Sequence, residues 1–202
     1  MHILKDNNDI GLVLTNLEIV DINGIVTGYR NNVLPKTKEK TLKAFFLGKI
    51  VNNTPTILVQ RSVLDDIGGF PEDLPMKEDH FFLMKVAQKY DIHLIDEHLV
   101  CRRIVNESMS HSLEAIKRFD SFKPFIDKSI AEFPLLRRLE KHAYAKLYRS
   151  IGLNHWKQGE FKTARKYIVK SWITRPNFIK NGIWLFIILT KTQYSTYQKI
   201  RH

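Results

Sequence analysis

The chain has 202 residues, 44% apolar and 26% charged, with a formal net charge of +11. That balance describes one mid-sized globular domain, or a smaller one with an appended helical tail, and excludes a disordered chain. The single cysteine, Cys101, excludes an intrachain disulfide and suits a reducing compartment, and by itself it reads as a packed core residue.

The opening residues, Met1-His2-Ile3-Leu4-Lys5-Asp6, have no charged segment followed by an apolar one, so no secretory signal is expected. Asp9 to Val20 mixes an apolar run with period-2 alternation. Asp21-Ile22-Asn23-Gly24 then has turn chemistry, and Ile25-Val26 starts a return, which predicts paired strands at 10–20 and 25–29. A polar loop with Pro35 leads into a short helix at about 38–48. Thr56 to Gln60 predicts a buried strand, and Arg61 to Ile67 one or two helical turns stopped by Gly68-Gly69. Phe70 to Lys77, with two prolines, is a loop. Glu78 to Tyr90 predicts a well-buried helix; Ile92 to Ile95 and Leu99 to Cys101 predict two further strands, and Asn106 to Ser110 a polar turn.

After Ser110 the strand-like runs stop. Segments 112–130, 135–158, 161–174 and 177–193 read as helices, with Pro134 and Pro176 at helix starts and Gly159 inside a helical hairpin. The hairpin from Ala145 to Pro176 has tetratricopeptide-like spacing, but one copy is a packing unit and not an array. The longest apolar run, Ile183 to Leu189, has seven residues. A membrane-spanning helix needs about 20, so none is expected. The organisation is therefore α/β over 1–110 and an α-helical tail over 111–202.

The charge is concentrated in that tail. Between Arg137 and Arg175 stand 11 Lys/Arg against two acids, Glu140 and Glu160. Lysines and arginines there alternate with Tyr144, Tyr148, Trp156, Phe161, Tyr167 and Trp172. Anionic membrane lipid suits such a face. Nucleic acid is the other polyanion, but no recognised binding motif accompanies the charge, and no nucleic-acid partner is expected. The expected location is cytoplasmic, or peripheral at the inner face of the membrane.

Four segments stand in order: Asn8-Asp9-Ile10-Gly11 through Val26; Thr56 to Leu64; Ile67-Gly68-Gly69-Phe70-Pro71-Glu72-Asp73-Leu74-Pro75 with Glu78-Asp79-His80; and Ile95 to Arg103 followed by Asn106 to Ser110. This succession resembles the acceptor-side, C-terminal portion of the family 2 glycosyltransferases of GT-A fold, over residues 8–110. The resemblance implies a partial GT-A-like mixed sheet with flanking helices. It also implies inverting transfer of a sugar from a nucleotide sugar to a saccharide or lipid-linked acceptor, in cell-surface polysaccharide synthesis.

By that resemblance Asp79 is the general base, and Glu78, Gly68 and Gly69 shape the acceptor site. A carboxylate beside the acceptor hydroxyl takes its proton as the new bond forms. The first turn of a helix keeps such a carboxylate ionised through unpaired N–H groups and the helix dipole. The same two acids serve an ordinary helix start, at a few tenths to about 1 kcal/mol each. His80 reads as a packing or surface residue, and Phe70 as the anchor that pins the glycine loop to the core.

The family also uses a divalent metal, Mn or Mg, held by an Asp-x-Asp motif at the end of a strand in its nucleotide-binding half. Residues matching that half are not found. Asp6, Asp9, Asp21 and the pair Asp65-Asp66 lack its context, and His111 is offset from a metal-ligand position. The expectation is a chain that transfers sugar poorly alone, with open edges on the strands at 10–20 and 56–60; a truncated gene product, a gene model missing its start, or a half-enzyme paired with a partner chain or a dimer each accounts for it. The alternative is a non-catalytic remnant, or a membrane-surface interaction module on the same fold.

Overall fold

A computed structural model describes residues 3, 4, 7, 9–51, 53–104, 115–176 and 184, with 115–120 described in backbone only. Two compact units divide the chain, Met1–Ser112 and Leu113–His202. The first is mixed α/β and the second is helical.

In the first unit, β1 (Ile10–Val20) is central to a four-stranded mixed sheet. One edge of β1 runs parallel to β4 (Asp91–Arg103), from Ile10↔Asp91 to Val20↔Arg103. The other edge pairs antiparallel with β3 (Ile57–Val59) through Leu12 to Leu14, and with β2 (Val26–Arg30) through Leu17 to Val20. The expectation of an open edge on 10–20 is therefore corrected, because β1 is paired on both sides. The β1–β2 turn forms as its residues predict. Asp21 Oδ1 accepts from the N–H groups of Asn23 and Ile25, both at 2.9 Å, which replaces backbone partners lost in the reversal.

Two strand predictions change. Residues 92–95 and 99–101 belong to one strand, β4, because it follows β1 along its length; Asp96 and Glu97 fall where the register slips between Ile95 and His98. The strand at 56–60 shortens to β3, since Thr54–Thr56 forms a 3₁₀ turn, and it is not buried: Leu58 is largely exposed. Cys101 is exposed as well, on a stretch of β4 whose side chains mostly face solvent, with Sγ 3.5 Å from Glu18.

The helices α1 (Lys38–Phe46), α2 (Arg61–Ile67) and α3 (Glu78–Lys89) complete this unit, with α1 and α2 packed against α3. Thr37 caps α1 by accepting from the Lys40 N–H at 3.3 Å. Leu12, Leu14, Leu42, Phe45, Phe82, Leu83 and Met84 are wholly buried or nearly so. Each contributes roughly 1.5–3 kcal/mol by leaving water, and α3 is held in place by this core.

The second unit comprises α4 (Ala115–Glu132), a 3₁₀ turn at Pro134–Leu139, α5 (Glu140–Lys157) and α6 (Phe161–Thr174). The predicted helix at 135–158 thus begins as a 3₁₀ turn. Helices α5 and α6 approach closely: a Cβ on Gly152 would lie 2.8 Å from Ile168 Cγ1. Among the described residues no helix is long and apolar enough to cross a membrane. The turn expected at 106–110 and most of the helix expected at 177–193 lie outside the described residues.

Candidate functional site

The glycine loop joins α2 to α3. Gly68 ends α2 at φ +76 and ψ 174, a conformation that essentially only glycine adopts. The reversal after Ile67 depends on it. Gly69 has no such requirement, and a Cβ there would meet nothing within 4 Å. Phe70 anchors the loop only partly: its ring centroid is 5.0 Å from that of Phe82, yet much of the ring stays exposed. Leu74, buried in the same loop, is the deeper anchor.

Lys77 closes the loop in the left-handed region at φ 68, the one non-glycine residue with positive φ among the described residues. That conformation costs roughly 1–2 kcal/mol. It turns the chain so that Glu78 and Asp79 occupy the first turn of α3. Both are half-buried.

Asp79 is held by its neighbours. Its Oδ1 accepts from the His80 backbone N–H at 2.7 Å and lies 3.0 Å from His80 Nδ1. Lys77 Nζ stands 3.1 Å from His80 Nε2. Lys77 Nζ is also 3.5 Å from Nδ1, so it stands over the imidazole and not on the line of a ring-nitrogen lone pair. A carboxylate only accepts, so Nδ1 carries the hydrogen that it gives to Asp79. The His80 side chain is 7% exposed and that of Asp79 24%. Burial pushes the Asp79 carboxyl upward, but the His80 side chain, its backbone N–H and the Lys77 charge outweigh that, so its pKa is lowered from the ordinary 3.8. At neutral pH Asp79 is a carboxylate. His80 is thus a packed residue, as expected, that also holds Asp79; the adjacency Glu78-Asp79-His80 was its only signal in the sequence.

A cavity of about 360 Å³ opens elsewhere, at the other end of α3. It is lined by Ala87 and Tyr90, by Asp91 to His93, by Leu34 to Thr37 ahead of α1, and by Lys38 at its start. Gly68, Gly69, Glu78 and Asp79 are not among its walls. Asp79 has partial solvent contact where it stands, but this cavity is not its pocket.

A second polar cluster crosses the sheet. Asn16, fully buried in β1, donates from Nδ2 to Asp96 Oδ1 at 2.7 Å and accepts the Asn32 N–H at 2.8 Å. The Asn32 side chain in turn bonds both backbone groups of Val51, each at 2.8 Å. Its signal was one asparagine inside a largely apolar strand.

Among the described residues no group of three or more His, Cys, Asp or Glu side chains could hold a metal ion. Asp66 is engaged with Lys89 at 2.9 Å and with the Tyr90 hydroxyl at 2.8 Å, and Asp65 lies 3.4 Å from Arg61. His111 lies outside the described residues. No protein-family model matches the chain, and no curated protein matches it.

Proposed function

We propose that the first unit is the acceptor side of an inverting glycosyltransferase and that Asp79 is its general base. The observation that carries this reading is the carboxylate itself: ionised, three-quarters covered, and fixed by His80 in the first turn of α3. In the transfer, the acceptor hydroxyl oxygen forms a bond to the anomeric carbon. Its proton passes to Asp79, and the nucleotide diphosphate departs with the electrons of the broken bond. Gly68 sets the loop and Glu78 stands beside the base, where each shapes the approach of the acceptor. The nucleotide sugar and the divalent metal rest on the resemblance alone, and the described residues do not fit that metal. The chemistry assigned to this chain is therefore proton removal and acceptor placement.

The rival reading is a non-catalytic module, and the position of the 360 Å³ cavity away from Asp79 favours it. Amide NMR of the whole chain titrated with oligosaccharide acceptors separates the two. Acceptor binding should shift the Gly68, Gly69, Glu78 and Asp79 amides. Saturating saccharide that leaves all four unmoved refutes the acceptor site.

A further inference from the structure

Helix α6 is committed on one face and open on the other. Ala164, Ile168 and Ser171, at helical spacing, are buried against α5, and Ser171 Oγ donates to the Ala145 carbonyl at 2.7 Å. The Trp184 ring adds to this inner side, edge-on to Trp156 at 5.7 Å. Away from that stripe run two rows: Phe161, Arg165 and Trp172 on its flank, and Lys162, Lys166 and Ile173 on the opposite side, roughly 100° apart around the helix. Their spacing, four and then seven residues, keeps each row on one line of the helix. All six are exposed, with Phe161 at 40%, Trp172 at 39% and Ile173 at 67%. From Phe161 to Pro176 the chain has five Lys/Arg and no acid.

An ordinary solvated helix face does not pair exposed tryptophan, phenylalanine and isoleucine with cations in this way. The arrangement is that of a helix lying in a bilayer interface, with aromatic and aliphatic groups at the headgroup boundary and lysines against anionic lipid. A protein partner needs no uniform positive charge, and a nucleic acid gives Ile173 nothing to bury. We propose that the outer face of α6 docks the protein flat on an anionic membrane surface. This is independent of the glycosyltransferase reading.

Flotation of the full chain with vesicles tests it. Binding is expected to phosphatidylcholine–phosphatidylglycerol vesicles but only weakly to phosphatidylcholine alone, and it should fall as salt rises. The triple variant Lys162→Gln, Arg165→Gln, Lys166→Gln, checked as folded by circular dichroism, should bind about a hundredfold more weakly. Trp172→Ala with Ile173→Ser should weaken binding at a salt concentration where charge is screened. The control Arg102→Gln with Arg103→Gln, on β4, should bind as the unmodified chain does. Equal binding to neutral vesicles, no loss in the triple variant, or an equal loss in the control overturns the proposal. So does duplex DNA that binds more tightly than the vesicles and displaces them.

Discussion

Asn16 Nδ2 donates to Asp96 Oδ1 at 2.7 Å where the register of β1 and β4 slips. The slip places Asp96 opposite a polar side chain that has no access to water. Because Asn16 also receives the Asn32 N–H, it joins β4, β1 and the loop before α1 through one amide.

Asn16→Leu should therefore destabilise the first unit by about 2–3 kcal/mol, since the buried Asn32 N–H loses its acceptor. Asp96→Asn keeps an oxygen toward Asn16 and should cost less than about 1 kcal/mol. Urea unfolding of the two variants checks this; equal costs contradict the assignment.

The pH dependence at Asp79 has a definite sign. Its folded pKa lies below 3.8. The native state thus favours the carboxylate, and the resulting stability is fully present above the ordinary value and disappears as pH falls through the lowered one. In His80→Leu the imidazole hydrogen bond is gone while burial remains, so the Asp79 pKa should rise. Carboxyl ¹³C NMR titration reads this directly, and an unchanged midpoint removes His80 from the account.

The two loop glycines should behave oppositely. Gly68→Ala places a Cβ at φ +76 and ψ 174 and should cost about 1–3 kcal/mol. Gly69→Ala meets open space and should stay within about 0.5 kcal/mol. Thermal melts of both variants test the distinction.

Gly152→Ala opposes two effects. Alanine favours the helix by about 1 kcal/mol, but its Cβ would meet Ile168 Cγ1 at 2.8 Å and the Ala164 carbonyl oxygen at 3.1 Å. Overpacking should win, with a net loss of about 1–2 kcal/mol. Ile168→Ala should then cost less in the Gly152→Ala background than alone, which a double-mutant cycle measures.

If Asp79 is the base, Asp79→Asn should abolish sugar transfer in any reconstituted reaction while leaving the donor's affinity nearly unchanged. Transfer assayed beside donor binding checks this, and an active Asp79→Asn protein removes the assignment.

Local chemistry was enough to determine much of this protein. The alternation in Ile10 to Val20, the Asp21–Gly24 turn, the glycine stop after Ile67 and the acids opening α3 each act through neighbours a few residues away. All four were legible in the chain. Only the tertiary structure decided that β1 is paired on both sides, that 92–95 and 99–101 are one strand, and that Cys101 faces solvent. It also decided that His80 holds Asp79 and that the cavity of about 360 Å³ lies elsewhere. Strand pairing and burial depend on residues dozens of positions apart. Sequence periodicity records which side of an element is apolar, but not which partner covers it.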